Sequence, residues 1–278
     1  MSELRQRMIA YMRSRQLSPR TEHRYLDVIA QLSAYHKRMP DRLSRDEVVE
    51  FLAYCAHDRQ LSYSTVNVYF QACRFLYEQV LSREQLTFKL PRRSRSKTRP
   101  RIYSPEECRR ILEAVGNLKH KALLYMVYGS GMRVSEVVRL RPEHIQSRRM
   151  LVFIVGGKGR KDRYTLLSAK ALDVLRAYWR RYHPGEWLFP SSPERGVPLG
   201  DKTAQHAYYN AVRKSGLQRL GGIHTLRHCF ATHLMEQGVD IYSIQRWMGH
   251  TSVHTTSGYM HVRDEHLRKF VSPLDMPV

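Results

Sequence analysis

Residues 89–101 (KLPRRSRSKTRPR) cut this chain into two parts that no single repeating pattern spans. Seven of the thirteen are basic and none is acidic, and Pro91 and Pro100 forbid a continuous helix. Periodic apolar segments lie on both sides. The 278 residues therefore divide into an all-helical domain at 1–88, a basic linker at 89–103 and a larger domain at 104–278.

The first domain reads as helix after helix. Ser18-Pro19 starts one, with Ser as N-cap and Pro in the first turn, and Tyr25, Ile29, Leu32 and His36 follow at helical spacing. Another begins after Ser62 and carries Val66, Phe70, Cys73, Leu76 or Tyr77, and Val80. Met8 and Met12 precede these, and Val48, Val49 and Leu52 lie between them. Four or five short helices around one small core are expected.

Beyond the linker, Ser104-Pro105-Glu106-Glu107 is a capping box with proline in the first turn. Helical periodicity runs through Ile111, Leu112 and Val115, and again from Leu123 to Val127. Residues 150–155 (MLVFIV) read as a strand by their β-branched content, and Tyr164 to Leu167 as a second. Gly156 to Asp162 turns between them, a hairpin with a basic tip. Helices return from Lys202. The expected fold class is mainly α with a small β-sheet.

Charge narrows the partner. With 47 Lys and Arg against 25 Asp and Glu the chain carries +22, and nucleic acid is the commonest partner of a basic protein. Charge alone also fits a ribosome-associated or membrane-surface protein. No run of about 18 apolar residues is present for a membrane span, and the charged N-terminus does not read as a signal peptide. Cys55, Cys73, Cys108 and Cys229 are isolated, which suits a reducing cytoplasm. The thirteen residues 89–101, at most roughly 45 Å when extended, reach far enough to pass beside a duplex. A nuclear-localisation-like tract or a plain solvated tether reads from the same residues.

Three short clusters place polar groups opposite an apolar face. Arg133 and Glu136 stand three apart in G-M-R-V-S-E, as do His224 and Arg227 in H-T-L-R. Leu226, Phe230 and Leu234 form the apolar stripe of the second cluster. Met248-Gly249-His250 ends a helix at Gly249, and Tyr259 follows nine residues after His250. Taken singly, each has an ordinary explanation: a surface ion pair, a structural histidine, one of 17 tyrosines. Cys229, His233, His250 and His254 also have spacings that could offer zinc ligands, though looser than structural zinc sites use.

The order of the clusters resembles the tyrosine recombinase (phage integrase) family. The carriers are Arg133 in G-x-R-x-S-E, Lys158 in G-K-G-x-K-x-R, H-T-L-R-H at 224–228, Gly249-His250 and Tyr259. The resemblance spans residues 104–262 closely and the helical domain and linker more loosely. It implies a two-domain DNA clamp with an α+β catalytic domain and catalytic residues Arg133, Lys158, His224, Arg227, His250 and Tyr259. It implies no cofactor and no metal, double-stranded DNA as partner, a homo-tetramer on synapsed sites, possible accessory recombination factors, and a cytoplasmic, nucleoid location.

The chemistry suits these groups. Two guanidiniums hold the non-bridging oxygens of a phosphodiester and stay charged at any working pH. A tyrosine, with a pKa of about 10, is ionised on the order of one part in a thousand at pH 7 and needs a base. The resemblance implies His224 for that role and Lys158 as the acid for the leaving 5′-oxygen, with Lys161 its rival. Glu136 would orient Arg133. A phosphotyrosine bond conserves the energy of the broken strand, and the chain has no phosphate-binding P-loop and no carboxylate cluster for magnesium. Two alternatives remain: type IB topoisomerase-like relaxation and a catalytically idle DNA-binding regulator. Within the family the tail Val271-Ser272-Pro273-Leu274-Asp275 resembles integron integrases. Residues 178–202 are too short for the extra segment of those enzymes, which leaves a Xer-like or transposon-associated type equally open.

Overall fold

The computed structural model describes residues 3–83, 101–156, 162–192 and 196–249. They form two compact units, one on each side of the basic run.

The first unit is helical. It comprises α1 (Glu3–Ser14), α2 (Pro19–His36), α3 (Arg45–His57) and α4 (Tyr63–Arg74), the last continuing as a π-helical turn over Phe75–Val80. Serines begin three of them: Ser18, Ser44 and Ser62 each accept the backbone N–H three residues on, satisfying a donor the helix cannot. Met8, Met12, Val28, Ile29, Leu32, Val48, Phe51 and Phe70 fill the core. The π-helical turn carries more residues per turn than an α-helix, and it brings both Leu76 and Tyr77 fully inside, where spacing alone had left a choice. Val49 is a correction. It lies 46% exposed, because Val48, Phe51, Leu52 and Cys55 already take the inner face of α3.

The second unit is built around α6 (Leu118–Ser130), with Ala122, Leu123, Leu124, Met126 and Val127 all buried. A helix apolar on every side belongs at a centre. Here α6 packs against α5 (Pro105–Glu113), α8 (Ala169–Tyr182), α9 (Asp201–Lys214) and α10 (His224–Glu236). The single turn α7 (Val134–Val137) follows α6, and α11 (Ile241–Met248) follows α10. Two elements go beyond the sequence reading: α8, starting after Ser168 and buried through Ala171, Leu172, Leu175 and Tyr178, and the two-residue strand β1 (Ile145–Gln146).

The sheet is antiparallel in the order β1-β2-β3, with β2 at Leu151–Ile154 and β3 at Arg163–Leu166. Ile154 pairs with Arg163 and Val152 with Thr165, so these four share the inward face. The strand starts one residue earlier than its β-propensity suggests, which places an arginine on that face. Phe153 and Tyr164 pair on the other, ring centroids 5.0 Å apart. The Thr165 hydroxyl donates to the Ser130 carbonyl at 2.8 Å and ties β3 to the end of α6. No described helix is long and apolar enough to cross a membrane.

Candidate active site

Arg133 is held by its own neighbourhood before any ligand enters. It is the N-cap of α7, and its backbone N–H donates to Glu136 Oε2 at 2.8 Å while its guanidinium donates to Oε1 at 2.7 Å. The glycine two residues earlier is needed for this turn. Gly131 caps α6 with φ +61°, and a Cβ there would meet the Phe230 ring at 2.3 Å. Only glycine accepts both the left-handed conformation and that contact. Phe230 lies on α10 three residues past Arg227, so the two motifs lock face to face.

Arg227 is 4% exposed and donates to the Gly131 and Met248 carbonyls. Its guanidinium also lies 3.9 Å from Glu136 Oε2. Arg163, from β3, makes the closest match to that carboxylate, NH1 to Oε1 at 2.9 Å and NH2 to Oε2 at 2.8 Å, a fork-to-fork pair. Three arginines against one glutamate leave two net positive charges in a nearly closed space. Burial pushes the Glu136 carboxyl up, but Arg163 and then Arg133 overcome it and bring its pKa down to about 2.

The same arginines close the end of α11. That helix finishes at Gly249 with φ +62°, and its last carbonyls lack partners within the helix. Arg163 Nε donates to the Trp247 carbonyl at 2.8 Å, Arg227 to Met248 at 2.6 Å and Arg133 to Gly249 at 3.0 Å. Cations at a helix C-terminus are also favoured by its dipole.

His224 opens α10 beside this group, accessible to solvent yet partly desolvated by the chain around it. That desolvation, then the charges of Arg227 and Arg133, lowers its pKa below the usual imidazole value. The shift favours the neutral imidazole, the form that accepts a proton. The segment before it is set by Gln205, whose Oε1 accepts from the Ile223 N–H at 3.2 Å. A cleft of about 320 Å³ opens at Arg133, lined also by Ser135, Glu136, Arg139, His144 and the end of β2.

Of the six residues named from the sequence, the fold gathers Arg133, His224 and Arg227. Lys158 with its rival Lys161, His250 and Tyr259 lie outside the described residues, as does the linker up to Pro100. Arg163 is the residue that sequence reasoning passed over. Its signal was there: it ends the G-K-G-x-K-x-R motif, and it alternates with inward Thr165. As for zinc, His233 sets Nδ1 against the Tyr128 hydroxyl at 2.9 Å and Nε2 against the Tyr103 carbonyl at 3.0 Å, so both ring nitrogens are engaged. No group of three or more potential metal ligands occurs among the described residues.

Comparison with known proteins places the two units in a family. Residues 101–266 match the phage integrase family, and residues 4–86 match the phage integrase N-terminal SAM-like domain. A putative integrase/recombinase, y4qK, of Sinorhizobium fredii is 36% identical over 277 residues, covering 99% of this chain and 90% of that protein. The tyrosine recombinase XerA of Thermococcus kodakarensis is 34% identical over 227 residues, 78% of each chain. In fold, the chain is similar to a lambda integrase dimer bound to a COC′ core site, with a TM-score of 0.72, 17% identity, and 95% and 96% of the two chains covered. The chain belongs to the phage integrase family of tyrosine recombinases, enzymes that break and rejoin DNA strands.

Proposed function

We propose that this chain recombines double-stranded DNA site-specifically, Tyr259 attacking a backbone phosphate to give a 3′-phosphotyrosine. The observation that carries the reading is the convergence of Arg133 and Arg227, distant in sequence, on one carboxylate with His224 beside them. Attack of a phenolate on a phosphodiester monoanion yields a doubly negative pentavalent state. Two net positive charges, fixed beforehand by Glu136 and the carbonyls of α11, complement it. His224 takes the phenol proton, Lys158 gives one to the departing 5′-oxygen, and His250 adds a hydrogen bond to the phosphoryl group.

The reverse reaction, attack of a 5′-hydroxyl on the phosphotyrosine, reseals the strand without nucleotide or metal. Two such exchanges on paired duplexes pass through a Holliday junction, with four copies of the chain supplying the four cuts. The helical unit at 1–88 and the basic linker at 89–103 contribute further contacts to the duplex. A cytoplasmic, nucleoid-associated location follows from that substrate.

A nicked suicide DNA substrate tests the nucleophile. Wild type should form a covalent protein–DNA adduct on denaturing gels, resistant to EDTA, and Tyr259→Phe should form none. An adduct from the Phe variant would overturn Tyr259. Intact DNA binding with no adduct in wild type would favour the idle regulator, and relaxation of supercoiled plasmid without exchange between sites would favour the topoisomerase-like reading.

A further inference from the structure

We infer that Arg163 is a positioning residue for strand cleavage: it pairs with both oxygens of Glu136 and so weakens the competition of that carboxylate with the phosphate for Arg133 and Arg227. This rests on the function proposed above.

The geometry sets a conflict. Glu136 is an anion within 4 Å of both arginines that are to bind an anion, Arg133 at 2.7 Å and Arg227 at 3.9 Å. Such a carboxylate orients them and also competes with the phosphate for them. Arg163 alone of the three meets it with a two-pronged fork, 2.9 and 2.8 Å, on the inward face of β3. A carboxylate so engaged shares its charge among three guanidiniums, which weakens its competition with a phosphate for Arg133 and Arg227. Arg133, by contrast, reaches Oε1 through one nitrogen, and its side chain is 20% exposed against 9% for Arg163. The buried fork anchors, and the more open arginine faces the cleft.

Arg163 has a second hold. Its Nε donates to the Trp247 carbonyl, and its side chain lies where a Cβ on Gly249 would fall, at 2.9–3.0 Å. One side chain thus ties the strand that follows the hairpin tip to the end of α11, where the chain runs on toward His250. An ammonium in its place would keep the charge without spanning two carboxylate oxygens and a carbonyl.

Cleavage of the suicide substrate by Arg163→Ala should fall about a hundredfold, as expected when a reacting group is misplaced by about an ångström. DNA binding should keep the wild-type dependence of log K on log salt, since no phosphate contact is lost. The decisive variant is Arg163→Ala combined with Glu136→Gln. Removing the competing charge should restore cleavage about tenfold over Arg163→Ala, whereas a merely structural arginine would make the double variant worse. Arg163→Lys, which keeps charge and bulk, should fold as wild type and lose about tenfold.

Cleavage by Arg163→Ala within about threefold of wild type would overturn the inference, as would a double variant slower than the single or an Arg163→Lys enzyme at full rate. A salt slope flatter by about 0.9 would make Arg163 a phosphate contact instead. Absence of adduct in wild type would fail the proposed function alone. The clamp is then read by hydrogen exchange, where the amides at the end of α11 should exchange faster in Arg163→Ala, and unchanged exchange would sink it.

Discussion

Charge is used in opposite ways in the two halves of this molecule. In the helical unit, ion pairs such as Arg13–Glu22 and Arg74–Glu78 lie over an apolar core, the arginine side chains 72% and 50% exposed. In the larger unit, Arg133, Arg163 and Arg227 surround Glu136 with side chains 20%, 9% and 5% exposed and the glutamate at 7%. The first kind of pair is screened and adds little to stability. The second carries a desolvation cost that hydrophobic residues would avoid, and it is tolerated because every member is hydrogen-bonded. Concentrated positive charge of that kind is a disadvantage for folding and an advantage for holding a phosphoryl group.

The sharpest way to break this contrast is to remove one arginine from each half. Arg227→Ala should slow adduct formation about a thousandfold, the scale of losing a preorganised anion donor. Arg74→Ala should leave it within about twofold, because the half-exposed Arg74 pairs with Glu78 within the helical unit. Similar losses in single-turnover cleavage from the two variants would end the distinction.

Stability offers the next test. Glu136→Ala leaves the buried Arg227 and the part-buried Arg133 and Arg163 without a counter-charge and should cost about 3 kcal/mol in denaturant unfolding. Glu78→Ala should cost under about 1 kcal/mol. Equal costs would mean that burial does not set the value of these pairs.

The linker is a third use of charge, cations with no acidic partner in the run. Changing Arg92, Arg93 and Arg95 to neutral residues should weaken specific and random duplex binding alike, flattening the log–log salt slope by about 0.9 per lost contact. An unchanged slope would reduce the segment to a tether. The smallest effect concerns His224. Its lowered pKa should appear as a ring titration midpoint below the usual 6.5 in the free protein by NMR, and a midpoint above 6.5 would contradict the influence of Arg227 and Arg133.

Much of this was legible without coordinates. Helix starts at Ser18, Ser62 and Ser104 and the stop at Gly249 follow from residues a few positions apart, because caps and left-handed turns are local events. The catalytic motifs were legible for another reason: chemistry demands particular side chains in a particular order. The helix at Ala169–Tyr182 was missed despite its apolar stripe, for it lies in a stretch without a chemical motif and Ser168 makes no side-chain cap. Val49 misled because the sequence shows how many apolar residues a helix has, and not how many its partners can cover.

Sequence by itself therefore determined the two helical-to-mixed halves and the basic run between them, and it singled out Arg133, His224 and Arg227 as candidate site residues. Tertiary structure alone decided that those arginines share Glu136, that Arg163 joins them, and that Trp247, Met248 and Gly249 offer them carbonyls. The physical reason is distance along the chain. A cap or a turn is encoded within one or two helical turns, whereas a shared carboxylate needs α7, β3, α10 and α11 packed before its partners come within hydrogen-bond reach.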